Sequence, residues 1–289
     1  MEKVITASVP AHLWDYLRPG IAGEIMLVSS SGIYLRMEEQ ILVLCDQSWG
    51  ILPIGIGIEN FEQAVRLLRP QQGQQVTVSE NCLMFRMGSI RLVMQNPQPD
   101  TVCTGSVQPD LIRQAAEELA ELRKERGISM LVQSLVLGGA PDEILKQNPY
   151  CAHGYPYFSK LMVALRHSDS SGIHSCVEKL LGLGPGLTPS ADDVLLGMLY
   201  VFHALPRKAP KGVQSFQKSI GQLCDRCTHQ ISAAYLKAIL TGAPFQRMEQ
   251  VFRGLCGEEK LDIGKLTQIG SSSGSEMLLG MLIALQICI

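Results

Sequence analysis

The chain has 289 residues, of which 46% are hydrophobic and 18% are charged, and its formal net charge is -2. This composition describes a well-cored globular protein of one large or two medium domains, and it excludes wholesale disorder. The small net charge gives no electrostatic reason to expect nucleic acid or an acidic membrane surface as a partner.

Up to about Thr104 the chain alternates short β-branched and apolar runs with turn residues, which predicts closely spaced strands. The expected strands are residues 23–28, 32–37, 40–46, 75–78, 82–87 and 89–95. One helix, residues 60–68, interrupts them before Pro70. The turns at 29–32 and 87–89 are short enough for hairpins, so we expect an antiparallel, barrel-like β-domain. The glycine-containing segment 53–58 fits a bulge or an edge better than a close approach to a ligand.

A proline-rich stretch from Pro97 to Pro109 marks the predicted boundary between a β-rich domain, residues 1–105, and a helical domain, residues 106–289. Beyond it the apolar residues recur at helical spacing, and Gly127 ends the first helix. Further helices are expected at 129–137, 157–166, 170–181, 191–205, 213–240, 245–255, 261–268 and 275–288. The predicted fold class is therefore α+β, with an N-terminal β-rich domain followed by a mostly α-helical domain that contains an internal repeat.

The repeat is a ten-residue segment that occurs twice in the helical half, 83 residues apart. Residues 190–199 are SADDVLLGML, and residues 273–282 are SGSEMLLGML. Each copy begins with Ser and carries an acid three residues later, the capping-box pattern, which Glu276 fits better than the shorter Asp193. A glycine-rich loop precedes each copy, GLGPGLTP at 182–189 and GSS at 270–272. Two polar, glycine-lined helix starts predict an anion pocket.

The residues behind each start, 194–205 and 277–289, are apolar on nearly all sides, which predicts buried helices. Neither run reaches the roughly 18 apolar residues of a membrane span. Gly197 and Gly280 occupy matching positions, although a Gly inside a helix costs up to about 1 kcal/mol relative to Ala. We therefore expect the helices to pack together near these glycines, with their starts in one shared polar pocket. The alternative is a duplicated structural pair whose serines only cap.

A third candidate element is a stripe of hydroxyl groups at Thr228, Ser232 and Tyr235, which share one face of a helix. Such a stripe can line a polar pocket, or it can bond to the helix backbone and to neighbouring loops.

The nine cysteines are odd in number and scattered, which is typical of a reducing compartment and not of a disulfide framework. Cys224 and Cys227 form a CxxC that lacks the flanking residues of a redox or zinc motif. Residues 1–17 lack the basic start and apolar run of a secretory signal. The sequence therefore predicts a cytoplasmic protein.

Three segments together are similar to the signature of the AllH-like family: GLGPGLTPSADD at 182–193, the Thr-x-x-x-Ser-x-x-Tyr-Leu helix from Thr228, and IGSSSG at 269–274. The resemblance covers mainly residues 176–289, and the first motif is specific in order and spacing. The sequence departs from the family pattern at Ser272, Glu276 and Ala191, where Thr, Asp and Gly are usual. These changes keep a hydroxyl and an acid, so they bear on fine specificity more than on the pocket.

The resemblance implies a subunit of oxamate carbamoyltransferase that acts with two other subunits in anaerobic allantoin and purine degradation. The implied reaction interconverts oxalurate plus phosphate with oxamate plus carbamoyl phosphate. Loop amides and helix dipoles can bind such anions, and preorganised donors can stabilise the charge that develops on the carbamoyl oxygen. Neither loop contains Arg or Lys, so we expect a cation from elsewhere in the chain, from a metal or from a partner subunit.

The expected site draws on all three segments. Asp192 and Asp193 are the candidate catalytic residues. The candidate substrate and anion-binding residues are Gly184, Gly186, Thr188, Ser190, Ser232, Ser272, Ser273 and Gly274. The sequence specifies no cofactor with certainty, and Mg²⁺ is the one candidate. If the cation comes from this chain, the residues to consider are Arg166, Lys179, Arg226 and Lys237.

Two other interpretations are open at the level of sequence. Asp192 and Asp193, with oxygens of Thr188 or Ser190, could hold Mg²⁺ in a hydrolase of a small phosphorylated or ribosylated ligand. That enzyme would be broadly like the helical ADP-ribosylglycohydrolases, without a shared motif. The other possibility is a non-catalytic scaffold subunit whose loops bind a partner.

Overall fold

The computed structural model describes residues 5–95, 105–122 and 127–289, and the chain divides into two compact units. One unit consists of Met1–Val102 with Ala243–Gln246, and the other of Cys103–Gly242 with Arg247–Ile289. Residues 97–104 of the predicted boundary lie outside the described residues. The first unit is mainly β and the second mainly α, which confirms the predicted α+β class.

The first unit is a closed barrel whose strands are arranged in the order β1-β5-β4-β3-β2-β6-β7-β8. The strands are β1 (Ile5–Pro10), β2 (Ala22–Val28), β3 (Gly32–Met37), β4 (Gln40–Asp46), β5 (Gly55–Ile58), β6 (Gln75–Ser79), β7 (Cys82–Phe85) and β8 (Gly88–Gln95). The barrel-like prediction is confirmed. Most neighbouring strands pair antiparallel, as predicted, whereas β1 pairs with β8 and β4 pairs with β5 in parallel.

Two strands, β1 and β5, were not predicted. The partners of β1 are distant in the chain, and β5 pairs with the preceding strand β4 in parallel and not as a hairpin. β5 lies between β1 and β4, with Ala7 opposite Ile58 and Val43 opposite Gly55. The segment 53–58 therefore includes an interior strand of the barrel, and its interpretation as an edge or a bulge is wrong. A four-residue run with two glycines gives little local signal for a strand.

Alternate residues of the strands point into the barrel, as the two-residue period of a strand requires. Among them Ile25, Leu35, Leu44 and Ile90 are fully buried, and each buried aliphatic side chain contributes about 1.5–3 kcal/mol. The predicted helix is present as α1 (Phe61–Leu68), which packs Phe61, Ala64 and Leu68 against the same core.

The second unit is helical in the residues that the structure describes. Its helices are α2 (Pro109–Glu121), α3 (Val132–Leu135), α4 (Asp142–Gln147), α5 (Pro149–His167), α6 (Ser170–Leu180), α7 (Ser190–Ala204), α8 (Val213–Cys227), α9 (Gln230–Leu240), α10 (Gln246–Leu255), α11 (Gly264–Thr267) and α12 (Ser273–Cys288). The helix α4 was not predicted, and α5 starts eight residues earlier than expected. The predicted helix 213–240 is two helices, because the chain is extended at Thr228.

The repeat helices α7 and α12 pack against each other at their matching glycines. A Cβ atom added to Gly197 would lie 2.9 Å from the carbonyl carbon of Met277 and 3.0 Å from the nitrogen of Met281. A Cβ atom added to Gly280 would lie 2.8 Å from the carbonyl carbon of Val194 and 3.0 Å from the nitrogen of Met198. The contacts are equivalent under the 83-residue offset, so the pair has an internal two-fold relation. The predicted close approach is confirmed.

Gly197→Ala or Gly280→Ala should therefore lower the free energy of unfolding, because the added methyl group meets helix backbone that must move apart. Overpacking of this kind costs typically about 1–3 kcal/mol. Urea unfolding of the full chain, followed by its helical circular dichroism, measures the change.

Gly221→Ala is the matched control, since an added Cβ at this exposed position in α8 meets only Leu240 Cδ1, at 3.7 Å. Ala is favoured over Gly in a helix by up to about 1 kcal/mol, so this variant should be at least as stable as the wild type. Equal stability of all three variants would contradict the close-packing account.

Candidate functional site

The two copies of the repeat begin α7 and α12, but their serines do not cap the helices. The N-cap positions are held by Pro189 and Ser272, and neither helix has a side-chain cap hydrogen bond. Ser190 and Ser273 are the first helical residues, so the predicted capping boxes are wrong. The physical reason is the direction of the acids. Asp193 and Glu276 are each only 1% exposed. Glu276 contacts the side chain of the N-cap residue Ser272, whereas the predicted capping box has Ser273 as its cap.

The starts of α7 and α12 lie together, as the repeat predicted. The hydroxyl oxygens of Thr188 and Ser273 are 3.1 Å apart, although the residues are 85 positions apart in the chain. Both side chains are half-buried, and each belongs to the polar segment at one helix start. One small polar cluster therefore contains groups from both copies of the repeat.

Asp192 is held by donors from three parts of the chain. Its Oδ1 accepts from the Gly182 N–H at 2.8 Å, and its Oδ2 accepts from the Ser232 hydroxyl at 2.7 Å and from the Thr228 hydroxyl. Burial raises the pKa of Asp192, and these three donors oppose the rise. The predicted hydroxyl stripe thus converges on Asp192 through two of its members. Asp192 ties the glycine-rich loop to the break between α8 and α9.

Asp193 is buried with one of its oxygens unsatisfied. This oxygen, Oδ2, has no hydrogen-bond partner. Burial raises the pKa of Asp193 well above its ordinary value, and the negative charge of Glu276 raises it further. The nearby hydroxyls of Ser273 and Thr188 act in the opposite direction and lower the pKa of its carboxyl group. The two adjacent aspartates therefore differ in their hydrogen bonding, because both oxygens of Asp192 accept hydrogen bonds and Asp193 Oδ2 accepts none.

Glu276 is a member of the cluster that the sequence analysis considered only as a helix cap. It lies 83 residues after Asp193, so the two acids occupy equivalent positions of the repeat. Its Oε1 accepts from the Ile128 N–H at 3.0 Å, and its Oε2 accepts from the Ser272 hydroxyl at 3.2 Å. Burial, and then the charge of Glu276, raise the pKa of the Cys151 thiol to about 12. The repeat itself was the signal that could have found Glu276.

Gly127 and Asn148 support Glu276 from outside the repeat, and neither was predicted to do so. The backbone at Gly127 lies so close to the carboxylate that an added Cβ would clash with it. The buried Asn148 donates to the Gly127 carbonyl at 2.7 Å, while its side-chain oxygen caps α5 by accepting from the N–H groups of Tyr150 and Cys151. The Asn-Pro pair at 148–149 is typical of a helix start.

The glycines of the first loop serve different purposes. Gly184, with φ at 123°, packs against Ser190, where an added Cβ would lie 2.7 Å from that residue's Cβ. Gly186, with φ at 95°, is exposed and would have open space around an added Cβ. Gly274, in the second copy, is buried against the backbone of α11. Gly184 and Gly274 are thus explained by packing, whereas Gly186 lies at the surface.

Two backbone amides at the helix starts are already used. The Ala191 N–H donates to the Leu183 carbonyl at 2.9 Å, and the Gly274 N–H donates to the Ile269 carbonyl at 3.0 Å. These two amides occupy matching positions of the repeat. An anion at the helix starts would have to use other N–H groups of the loops.

Three of the four candidate cations are engaged elsewhere. Arg166 donates to the Gln286 carbonyl, Arg226 pairs with Glu178, and Lys237 pairs with Asp225. Lys179 is exposed in α6. The structure therefore places none of Arg166, Arg226 and Lys237 in contact with the carboxylate cluster.

Over residues 5–95, 105–122 and 127–289, no group of three or more His, Cys, Asp and Glu residues is arranged to hold a metal ion, and no disulfide links the cysteines. The described helices include none with the length and apolar character needed to cross a membrane. A cavity of about 440 Å³ lies in the barrel unit and contains none of the predicted site residues. It is lined by Asp46, Asn60, Phe61, Glu62, Gln63 and Arg66.

Fold and site together define an α+β protein whose helical unit holds a buried carboxylate cluster where two repeat-related helices start. Residues 180–285 match the family model described as oxamate carbamoyltransferase subunit AllH. The match spans both copies of the repeat, and it confirms the resemblance to the AllH-like family. No solved structure matches the chain.

Asp192→Ala should destabilise the helical unit strongly. A hydrogen bond to a charged group contributes about 1.5–3 kcal/mol, and the variant removes three while leaving buried donors unpaired. We expect a loss of about 3 kcal/mol or more in the free energy of unfolding, measured by urea denaturation. Asp142→Ala, at an exposed position of α4, is the control. A stable Asp192→Ala variant would contradict the structural role of Asp192.

Asp193 should make stability depend on pH in a defined direction. Its pKa is raised above the ordinary value of 3.8, so the folded protein holds this proton more tightly than the unfolded chain does. The resulting stabilisation is fully present below the unfolded pKa and is lost as the pH rises through the folded pKa. Relative to Asp193→Asn, wild-type stability should therefore fall above about pH 4, by at most about 1.4 kcal/mol per pH unit.

Urea titrations of both proteins between pH 4 and 8 measure this difference, with the exposed Asp142→Asn as a parallel control. A wild type that gains stability relative to Asp193→Asn as the pH rises would show that the sign of the shift is wrong.

Proposed function

We propose that this chain is a subunit of an oxamate carbamoyltransferase that converts oxalurate and phosphate into oxamate and carbamoyl phosphate during allantoin and purine degradation. The observation that carries the proposal is the coincidence of two findings. The family match covers residues 180–285, and the Thr188–Ser273 contact joins two polar segments within that range. A site built from both copies of the repeat is thus the most specific feature of the matched region.

The proposed reaction moves one carbamoyl group and balances without a further reactant. An oxygen of HPO₄²⁻ attacks the carbamoyl carbon of oxalurate, the C–O bond forms, and the bond from that carbon to the oxamate nitrogen breaks. The nitrogen takes the proton that the phosphate gives up, so oxamate and the carbamoyl phosphate dianion leave. Negative charge develops on the carbamoyl oxygen, where hydroxyl and amide donors stabilise the transition state.

The Thr188–Ser273 hydroxyl pair is the proposed donor to the carbamoyl oxygen, since both hydroxyls are half-buried at the meeting point of the helix starts. One hydroxyl donates to the other, and the second donates to the carbamoyl oxygen. Exposed loop amides around Gly186 and Gly270 would bind the substrate carboxylate. Glycines with positive φ in such loops allow consecutive N–H groups to converge on an anion.

Asp192 is assigned a positioning role in this proposal, in place of the catalytic role that the sequence suggested. Its three hydrogen bonds hold the loop start at Gly182 against the start of α9. Asp193 remains the candidate acid for contact with substrate, because its Oδ2 has no protein partner.

Partner subunits would supply the positive charge that the ligands need. Arg166, Arg226 and Lys237 are committed to other contacts. Bidentate Arg contacts are the strongest side-chain anchors for carboxylate and phosphate. The complete site would therefore form only in the assembled enzyme.

No observation favours the two alternatives over this proposal. Both oxygens of Asp192 already accept hydrogen bonds, which leaves this residue poorly suited to the metal site considered from the sequence. A scaffold role would leave the unsatisfied Asp193 Oδ2 without a purpose. The scaffold possibility is decided by the variants described below.

Carbamoyl transfer should require the partners. The purified chain is expected to form little or no carbamoyl phosphate from oxalurate and phosphate, and activity should appear when the other subunits are added. Coupled detection of carbamoyl phosphate measures both cases. Full turnover by the isolated chain would refute the dependence on partner cations.

In the assembled enzyme, Thr188→Val and Ser273→Ala should each lower the rate by about 10²-fold, the usual effect of losing one transition-state donor. Ser215→Ala is the matched control, because its hydroxyl forms a similar 2.7 Å pair with Ser170 away from the cluster. Assembly is checked by size-exclusion chromatography. Unchanged rates in assembled Thr188→Val and Ser273→Ala complexes would favour the scaffold role.

A further inference from the structure

Asp193 Oδ2 is an acceptor in the protein interior that makes no hydrogen bond. Its two acidic neighbours are provided with donors, three for Asp192 and at least two for Glu276. Natural proteins keep few buried polar atoms without partners, and each calls for an explanation such as a catalytic or binding role. Ser275 Oγ, in the first turn of α12, is likewise buried without a hydrogen-bond partner, so each helix start has a polar side-chain atom that is unsatisfied.

The buried Asp193 has neighbours in segments that reach the protein surface. The hydroxyls of Thr188 and Ser273 are half-buried, and both oppose the rise in the pKa of Asp193 that its burial causes, which places them close to its carboxyl group. The loops beside these two residues contain Gly186 and Gly270, which are exposed. The Asp193 carboxyl group is therefore close to side chains whose loops face solvent.

The electrostatics of the helix starts select the kind of ligand group. Asp192, Asp193 and Glu276 all lie in the first turns of α7 and α12, where they take up the positive ends of the helix dipoles. The backbone N–H groups of Ala191 and Gly274 already donate hydrogen bonds to loop carbonyls. A phosphate or carboxylate placed against the cluster would be repelled by the negative charge of Glu276, whereas a neutral N–H donor would not.

Resting on the proposed function, we infer that Asp193 Oδ2 accepts a hydrogen bond from an N–H of the substrate's amide or ureido group. The donor is the NH₂ group of oxamate in one direction of the reaction and a ureido N–H of oxalurate in the other. The substrate carboxylate then points away from the acids, toward the exposed amides of the loops. The helix starts, predicted from sequence to bind the anionic end, bind the N–H end instead.

A ligand series on the wild-type assembled complex tests this orientation by calorimetric titration. Oxamate presents N–H donors, N,N-dimethyloxamate has none, and oxalate replaces the amide by a second carboxylate. Oxamate should bind at least about 10-fold more tightly than either analogue, as expected for the loss of one buried hydrogen bond. Equal affinities for the three ligands, or no binding of oxamate, would overturn the inference.

The variant Asp193→Asn, in the same complex, should lose about 10-fold or more in oxamate affinity and keep its affinity for inorganic phosphate. Asp142→Asn is the matched control and should keep both. An Asp193→Asn complex that binds oxamate as the wild type does, or that loses phosphate binding equally, would also overturn the inference. If this variant does not fold, the ligand series on the wild type decides.

The two proposals fail in different ways. A wild-type complex that binds oxamate with the expected preference but transfers no carbamoyl group would refute the proposed reaction and leave N–H recognition standing. A complex that transfers carbamoyl groups but binds the three ligands equally would refute N–H recognition alone.

Discussion

The close backbone approach of α7 and α12 is the constraint on which the site depends. Because Gly197 and Gly280 carry no Cβ, each helix can rest on the other's backbone at equivalent positions. That contact lies about two turns from each helix start, so it fixes the starts beside one another. The 3.1 Å contact between the Thr188 and Ser273 hydroxyls follows from this geometry. A larger residue at either glycine would separate the helices and, with them, the groups that form the cluster.

Close packing also buries three acids, Asp192, Asp193 and Glu276, in the first helical turns. Their different environments indicate different roles. Asp192 is satisfied by donors from Gly182, Thr228 and Ser232, which makes it a structural tie between segments. Asp193 has an unsatisfied oxygen and a raised pKa, features that are concentrated at functional sites. Sequence alone pairs the two aspartates because they are adjacent. Only the direction of each side chain shows that Asp192 has a structural role and that Asp193 is the candidate for contact with substrate.

Local patterns predicted much of the fold, and long-range contacts account for most of what they missed. The hairpin strands and the apolar helices were found because their period and turns are encoded within a few residues. β1 was missed because its partners, β5 and β8, are distant in the chain. β5 was missed because it joins the preceding β4 in parallel, without the hairpin turn that marks the other strands. The helix 213–240 was predicted as continuous because the break at Thr228 coincides with a hydrogen bond to Asp192, 36 residues away. In the site, Glu276 and Asn148 escaped because spacing gives position along a helix but not the direction of the side chain.

The departures from exact two-fold symmetry are where a function can reside. Under the 83-residue offset Asp192 corresponds to Ser275 and Asp193 to Glu276, so the two starts present different groups at equivalent places. Glu276 is held by Ile128 and Ser272, whereas Asp193 has an oxygen without a partner. A perfectly symmetric pair would offer the same chemistry twice. The proposed ligand, oxamate, has unlike ends, a carboxylate and an amide. A site derived from a repeat can distinguish such ends only after its two copies have diverged.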